Sequence, residues 1–364
     1  MSRKLTYDSY LFGAAMLIVV LGLVMIYSAS AIIATQRFEK EPTYFLMRQG
    51  AFLVAGAIAM VVLMHVNPAL LSDKRVVYGS LAVIGLALIA ALFQSPINGT
   101  HRWIVLPWFQ LQPSELAKPA VVLFFASYLA RREERINELT TTLLPLGFIL
   151  ALFAGLILLG RDFGTASVLI VVVAGMVFAA GLAWRYVAAF AFALVPLGAY
   201  FALNAAYRRE RLLTFLNPEA DAQGAGFQAL QSLIALGTGG FKGLGIGNGR
   251  QKLFFLPEPH TDFIFAIIGE ELGFIGALAL LGAFAFLVWR AFRIVRATQD
   301  RFAFYAALGC TLMIAIQALI NVSVALCLLP TKGLPLPLVS YGGSSLIASL
   351  IAIGLLLNFS QQAS

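Results

Sequence analysis

Three carboxylates, Asp262, Glu115 and Asp162, stand in or beside long apolar stretches, where an ionised side chain is costly and tends to persist because it has a task. Asp262 lies in Leu256-Pro257-Glu258-Pro259-His260-Thr261-Asp262-Phe263-Ile264-Phe265-Ala266, where a polar segment meets an apolar run. A carboxylate at the mouth of a cavity could accept a proton from a substrate hydroxyl, with His260 as a neighbour able to share that duty. The plainer alternative is an N-cap for the helix that follows. Glu115 occurs in Gln112-Pro113-Ser114-Glu115-Leu116-Ala117-Lys118-Pro119, with Lys118 three positions on and on the same helix face. The two either neutralise each other while Ser114 caps the helix, or leave Lys118, a turn inside the apolar run, as a cation lining a hydrated cavity. Asp162 sits in the tight link Arg161-Asp162-Phe163 ahead of Gly164-Thr165, where it would cap a helix or join a polar site.

Cations accompany these acids. Arg48, Arg102, Arg208, Arg209, Arg211, Lys242, Arg250, Lys252 and Lys332 fall on the same side of the chain's topology as the three carboxylates. Such a surface suits an anionic, phosphate-bearing substrate, because guanidinium groups grip phosphate oxygens bidentately. The glycines from Gly237 to Gly249 resemble no nucleotide loop, since they neither follow a strand nor carry the phosphate-binding lysine spacing.

The elements that position these groups are membrane helices. Of 364 residues 60% are hydrophobic and 12% charged, well above the roughly 45–50% apolar content of a soluble domain. Ten apolar runs are long enough for a hydrocarbon slab of about 30 Å, at 10–33, 44–64, 76–94, 114–130, 142–160, 164–181, 186–204, 263–289, 302–329 and 338–358. The expected fold class is all-α, a polytopic membrane protein with about ten transmembrane helices. The first run is too long for a signal peptide and lacks a clear cleavage site, so it is expected to be retained.

With the N-terminus inside, the inner segments hold Arg3, Lys4, Lys74, Arg75, Arg131, Arg132, Arg135, Arg185, Arg290, Arg293, Arg296 and Arg301. The short outer segments and helix edges hold Arg37, Lys40, Arg48, Arg102, Arg161 and Lys332. That bias places both termini in the cytoplasm. The net charge of +8 follows from this topology and an anionic membrane surface, without nucleic acid as a partner. Cys310 and Cys327 share the ninth run, about 25 Å apart along a helix, so they are read as packing residues that cannot bridge each other.

One segment interrupts the ladder. Residues 205–262 form a large extracytoplasmic loop between helices 7 and 8, with a basic cluster at Tyr207–Arg211, an amphipathic stretch from Phe227 to Leu236 and the glycine-dense turns. Its apolar content argues for a folded cap with a short interfacial helix near 228–236. No internal repeat of the kind found in many transporters stands out.

Several strings are specific. Gln251-Lys252-Leu253-Phe254-Phe255-Leu256-Pro257-Glu258-Pro259-His260-Thr261-Asp262-Phe263-Ile264-Phe265 with Gly269-Glu270-Glu271-Leu272-Gly273, and Leu329-Pro330-Thr331-Lys332-Gly333-Leu334-Pro335-Leu336-Pro337 with Ser340-Tyr341-Gly342-Gly343-Ser344-Ser345, resemble the signatures of the SEDS family (shape, elongation, division and sporulation). Gly99-Thr100-His101-Arg102-Trp103-Ile104, the Gln112–Lys118 string and Gly22-Leu23-Val24-Met25-Ile26-Tyr27-Ser28-Ala29-Ser30 are similar to the family as well, so the resemblance covers the first helix to the last, as a single membrane domain over 1–364. Gly269-Glu270-Glu271 and Thr331-Lys332-Gly333 look more like the family's division branch than its elongation branch. The family usually has proline before the aspartate matching Asp162, and here Arg161 stands there.

The resemblance implies a peptidoglycan glycosyltransferase that polymerises lipid II at the outer face of a bacterial inner membrane. It also implies a class B penicillin-binding protein and other divisome proteins as partners, Asp262 as the catalytic acidic residue, and Glu115, Lys118 and Asp162 in the central cavity. In such a reaction a sugar 4-hydroxyl displaces a polyprenyl pyrophosphate at an anomeric carbon, and inversion turns an α-linked donor into a β-linked glycan. Asp262 is then the expected general base and Lys118, Arg102 and Arg250 the candidate phosphate clamp, with Arg48, Lys252 and Ser344 completing the substrate-binding set. An ordinary Asp, with a pKa of about 3.9, is a weak base, so burial, positioning or a bound divalent cation would have to help. Two rivals, a lipid II flippase and a non-catalytic division scaffold, would use the same helices without a base at Asp262.

Overall fold

The computed structural model describes residues 7–97, 99–107, 109–189, 192, 215, 226–253, 255–330 and 333–362. About three quarters of them are helical. In chain order the elements are α1 (Ser9–Phe38), α2 (Tyr44–His65), the short α3 (Pro68–Leu71), α4 (Lys74–Leu92), the strands β1 (Ile104–Val105) and β2 (Gln110–Leu111), α5 (Pro113–Arg132), α6 (Leu144–Leu159), α7 (Phe163–Ala179), α8 (Phe227–Gly239), α9 (Ile264–Ala297), α10 (Arg301–Ala325) and α11 (Gly343–Ser360).

Helix starts follow capping chemistry. Asp8, Asn67, Asp73 and Asp300 each accept a main-chain N–H from the first turn they precede, which satisfies donors the helix itself leaves orphaned. Among the described residues seven helical segments are long and apolar enough to cross a membrane: α1, α2, α4, residues Leu139–Leu159, α9, α10 and α11. At 17 residues α7 is shorter, and α5 carries Glu115, Lys118, Arg131 and Arg132. The chain is thus a polytopic helical membrane protein. The expected run at 186–204 and the basic cluster at Tyr207–Arg211 lie largely outside the described residues.

α10 and α11 form the centre. Their most apolar windows are 67% and 83% buried, against 17% for α2, so α2 faces outward while α10 packs along α5 and α11 along α2. The α2–α11 contact depends on small residues, as close helix packing in membranes does. A Cβ on Gly354 would stand 2.7 Å from the Met60 carbonyl oxygen and 2.9 Å from its Cα.

The expected last run, 338–358, begins instead at Gly343. Leu338 has φ 64°, and the Ser340 hydroxyl accepts the Leu336 N–H at 2.8 Å, so 336–342 is a turn tied to Gln49 of α2 through the Ser340 carbonyl and the Gly342 N–H. The ninth run likewise stops at Ala325, with Cys327 at φ 54° beyond it. Both cysteines are free thiols.

In the described part of the expected cap, from 226 on, α8 spans the amphipathic stretch. It is docked on protein rather than simply interfacial: Leu236 packs on Gly269 of α9 and the Ser232 hydroxyl donates to the Ala325 carbonyl at 2.7 Å, while Leu233 and Ile234 stay exposed. α9 kinks at Gly273, whose φ of 68° is open to glycine at little cost. A kink breaks main-chain hydrogen bonds, and the glycine-dense turns take up the released groups. Leu244 and Gly245 donate to the carbonyls of Glu270 and Glu271, and Phe274 donates to that of Gly240. Gly239 and Gly243 lie so close to this kink that a side chain on either would overlap its backbone.

Gly354→Val should lower stability by about 1–3 kcal/mol through overpacking. Gly13→Ala, which meets nothing within 4 Å, should be neutral or slightly stabilising. Thermal midpoints in detergent compare the two; equal losses would contradict the packing assigned to α2 and α11.

Candidate active site

A cavity of about 270 Å³ opens among the end of α1, the start of α2, the β1–β2 hairpin, the turn before α9 and the segment leading into α11. That is near the lower edge of the roughly 300–1,000 Å³ of small-molecule sites, enough for the reacting end of a larger ligand. Asp262, Arg102, Arg48 and Ser344 line it, with Gln112, Glu258, His260 and Tyr341.

The N-cap position of α9 is Phe263, with no side-chain cap bond there, one residue beyond Asp262. Its carboxylate faces Arg102 across Gly333: a Cβ on that glycine would meet Asp262 Oδ2 at 3.2 Å and the Arg102 guanidinium nitrogens at 3.7 and 3.8 Å. Asn321 of α10 holds the main chain here, donating to the Asp262 carbonyl at 2.9 Å and the Leu334 carbonyl at 2.7 Å.

Arg102 arrives on the approach to a hairpin of two residues per strand, Ile104 opposite Leu111 and Val105 opposite Gln110. Behind it Asp162, 2% exposed, lies 4.0 Å from the guanidinium. Asp162 caps α7 by accepting the Thr165 N–H, and it accepts Ser114 Oγ at 2.7 Å and Gln112 Nε2 at 2.9 Å. The Gln112 N–H in turn donates to Ser344 Oγ at 2.8 Å. Ser114 therefore serves Asp162 and does not cap α5, whose N-cap is Gln112. Arg161 has φ 62°, a conformation closed to proline, so the departure from the family pattern comes with its own loop geometry. Its guanidinium donates to the Gly99 carbonyl at 3.1 Å.

Glu115 and Lys118 are buried beneath the cavity and do not line it. Lys118 Nζ meets Glu115 Oε2 at 2.7 Å and donates to Gln317 Oε1, whose amide reaches the Pro335 carbonyl at 2.9 Å. The expectation of a cavity-lining Lys118 gives way to a self-neutralising pair, because an unpaired charge at this depth would be strongly unfavourable.

Lys252 is also displaced from the expected set. It is 2% exposed and held by Glu271 at 2.6 Å and Ser28 at 3.1 Å, while Glu271 accepts the Ser28 hydroxyl and the Gly247 N–H. Arg250 is exposed outside the cavity lining, and its N–H donates to Glu270 at 2.7 Å. Lys332 and Arg208, Arg209 and Arg211 lie outside the described residues. Gln317 and Asn321 went unnoticed in the sequence, although two amides inside an apolar span are themselves a signal.

His260 is buried between the rings of Phe45 and Tyr341. Burial, and secondarily the positive Arg37, push its pKa down to about 4. It is neutral at pH 7, so its 3.8 Å approach to Glu258 is a polar contact rather than an ion pair, and it is a poor base. Asp262 and Glu258 are the carboxylates among the described lining residues, and no three His, Cys, Asp or Glu side chains converge among the described residues.

Two outcomes follow from this geometry. The unfolded chain binds a proton at His260 below pH 6.5 while the folded chain refuses it until about pH 4. Stability should therefore be full above pH 6.5 and fall as pH drops toward 4, by on the order of 3 kcal/mol. Thermal midpoints of the wild type and His260→Gln between pH 7 and 4.5 would show it, and parallel curves would contradict it. Lys252→Met strands the buried Glu271 charge and should cost about 3–5 kcal/mol; a variant with unchanged midpoint and weakened substrate binding would instead restore Lys252 to the binding set.

Known proteins supply a separate line. The family model for cell cycle proteins of the FtsW, RodA and SpoVE group matches residues 8–364. A relative from Trichlorobacter lovleyi, named probable peptidoglycan glycosyltransferase FtsW, is 42% identical over 98% of this chain and 94% of its own. One of the same name from Geobacter metallireducens is 41% identical over 97% and 94%. Among solved structures, a chain from work on the structural coordination of polymerization and crosslinking by a peptidoglycan synthase complex superposes with a TM-score of 0.81, at 32% identity and 98% coverage of both chains. The rod shape determining protein RodA of Thermus thermophilus superposes at 0.70, with 30% identity over 98% and 97%. The chain belongs to the FtsW/RodA/SpoVE family of cell cycle proteins.

Proposed function

We propose that this chain is a peptidoglycan glycosyltransferase of the division branch, polymerising lipid II into glycan strands at the outer face of the inner membrane. The observation that carries the reading is the carboxylate of Asp262 facing the guanidinium of Arg102 across Gly333 in an open cavity. Glycosyl transfer from a lipid pyrophosphate needs both signs of charge. The acceptor 4-hydroxyl loses a proton as its oxygen bonds to the anomeric carbon, and the bond from that carbon to the pyrophosphate breaks with the electron pair leaving on phosphate.

Asp262 takes the proton. Arg102 stands opposite to receive the leaving phosphate, steadied from behind by Asp162, and Arg48, which Tyr44 meets at 2.9 Å, extends the cationic wall. Attack from the face opposite the leaving group inverts the anomeric centre, so an α-linked donor yields a β-linked strand. The cavity lies at helix ends, from which a polyprenyl chain can leave sideways into lipid.

With ten membrane crossings and both termini in the cytoplasm, this cavity and the 205–262 loop would lie on the extracytoplasmic side of the membrane, within a single domain that spans the whole chain. A class B penicillin-binding protein is the natural partner, since strands made here need crosslinking, and other divisome proteins would bring the pair to the division site. Relatives named for this activity, together with the likeness to a peptidoglycan synthase complex, support the assignment. The flippase reading requires passage between the two faces, and the buried Glu115–Lys118–Gln317 layer beneath the cavity speaks against it.

Purified chain with its transpeptidase partner and labelled lipid II should form glycan ladders, and Asp262→Ala should lower their rate by about 10²–10⁴-fold. Gly333→Val, which places bulk between Asp262 and Arg102, should suppress polymerisation while leaving the thermal midpoint near wild type. Equal ladders from wild type and Asp262→Ala would end the catalytic assignment.

A further inference from the structure

We propose that a recess between the start of α4 and the end of α5 binds the phosphate headgroup of an anionic phospholipid. This site is separate from the active site and independent of the function proposed above. The recess holds about 190 Å³ and is lined by Lys74, Val77 and Tyr78 of α4 and by Phe124, Ser127, Tyr128, Arg131 and Arg132 of α5. α5 begins beside the active-site cavity at Pro113 and runs about 30 Å to this end, so the recess opens on the opposite face of the protein. That is the face rich in lysine and arginine.

Its charge is unbalanced. Among the described residues no carboxylate comes within ion-pair distance of Lys74, Arg131 or Arg132; of the neighbouring acids Glu134 is exposed and three are engaged elsewhere. Glu133 pairs with Arg301 at 3.2 Å, Glu138 with Arg135 at 3.9 Å, and Asp73 caps α4 through the Arg75 N–H at 2.7 Å. The N-terminus of α4 adds its own partial positive charge at the same rim. Arg131 is aimed by its bond to the Ser72 carbonyl at 2.8 Å, and Tyr128 by its bond to the Thr141 carbonyl at 2.8 Å. Three cations with hydroxyls from Ser127 and Tyr78 offer a phosphodiester both charge and hydrogen bonds.

The walls specify a lipid over a soluble anion. The floor is aromatic, with Phe124 in edge contact with Tyr78 and tilted against Tyr128. Beyond Tyr78, itself exposed, the exposed apolar side chains of Leu86 and Ile89 follow two and three turns on along the same flank of α4. A glycerol ester can rest on the rings and its acyl chains along α4, while the phosphate meets the cations. Basic recesses between membrane helices at the cytoplasmic interface bind acidic headgroups by this division of labour.

The test uses the full chain in neutral detergent, titrated with phosphatidylglycerol, phosphatidylcholine or inorganic phosphate, with retained lipid read by native mass spectrometry. Wild type should retain phosphatidylglycerol over phosphatidylcholine. Lys74→Ala with Arg132→Ala should weaken retention about thirtyfold and Lys74→Ala alone about fivefold, whereas Lys74→Arg with Arg132→Lys should bind as wild type. The single Lys74 variant decides the matter if the double variant does not fold, because Lys74 is exposed. Equal retention of the two lipids, or undiminished phosphatidylglycerol retention in the Lys74 variant, would overturn the proposal. Displacement of the lipid by millimolar phosphate would overturn it too, by assigning the recess to a soluble anion.

Discussion

A carboxylate removed from water must be paired or hydrogen-bonded, and much of this protein's interior architecture answers that demand. Asp162 is held by two side chains, a helix N–H and a guanidinium; Glu115 by Lys118; Glu271 by Lys252, Ser28 and an N–H; Glu270 by the main chain of 250 and 251. The networks they belong to join segments far apart in the chain. Ser28 and Glu271 tie α1 to α9, Asp162 and Gln112 tie α7 to the hairpin, and Lys118 and Gln317 tie α5 to α10. Through these bonds the acids stitch the helices together.

Asp262 differs because its carboxylate lines the cavity while its main chain is fixed. Asn321 grips its carbonyl and that of Leu334, so the acid and the segment opposite it move together. The cap adds a second constraint, since the kink at Gly273 trades internal helix bonds for bonds to the turns at 240–245. That exchange locks the loop to the first turns of α9, which are the turns that Asp262 precedes. A catalytic group needs such preorganisation more than it needs an unusual pKa, because a misplaced base is ineffective whatever its strength.

Much of the fold was legible because burial in lipid demands long apolar runs, and nine of the ten expected runs have a described helix. The tenth, at 186–204, falls mainly on undescribed residues. Errors came at ends where proline and positive φ override hydropathy, as at 336–342 and after Ala325. α8 was visible in its amphipathic spacing, but its docking depended on Gly269, 33 positions beyond the Leu236 that packs on it. The hairpin that delivers Arg102 was invisible, since two-residue strands leave no alternation to detect.

From residue order alone came the membrane class, the family resemblance and the importance of Asp262, because hydropathy and uninterrupted strings are local properties. Which charges face a ligand and which face each other was decided only by the folded chain. Lys118 and Lys252 read as cations awaiting a phosphate, and each is spent on a buried glutamate. Partner choice among charges is a matter of distance and solvation in three dimensions, and a linear sequence records neither.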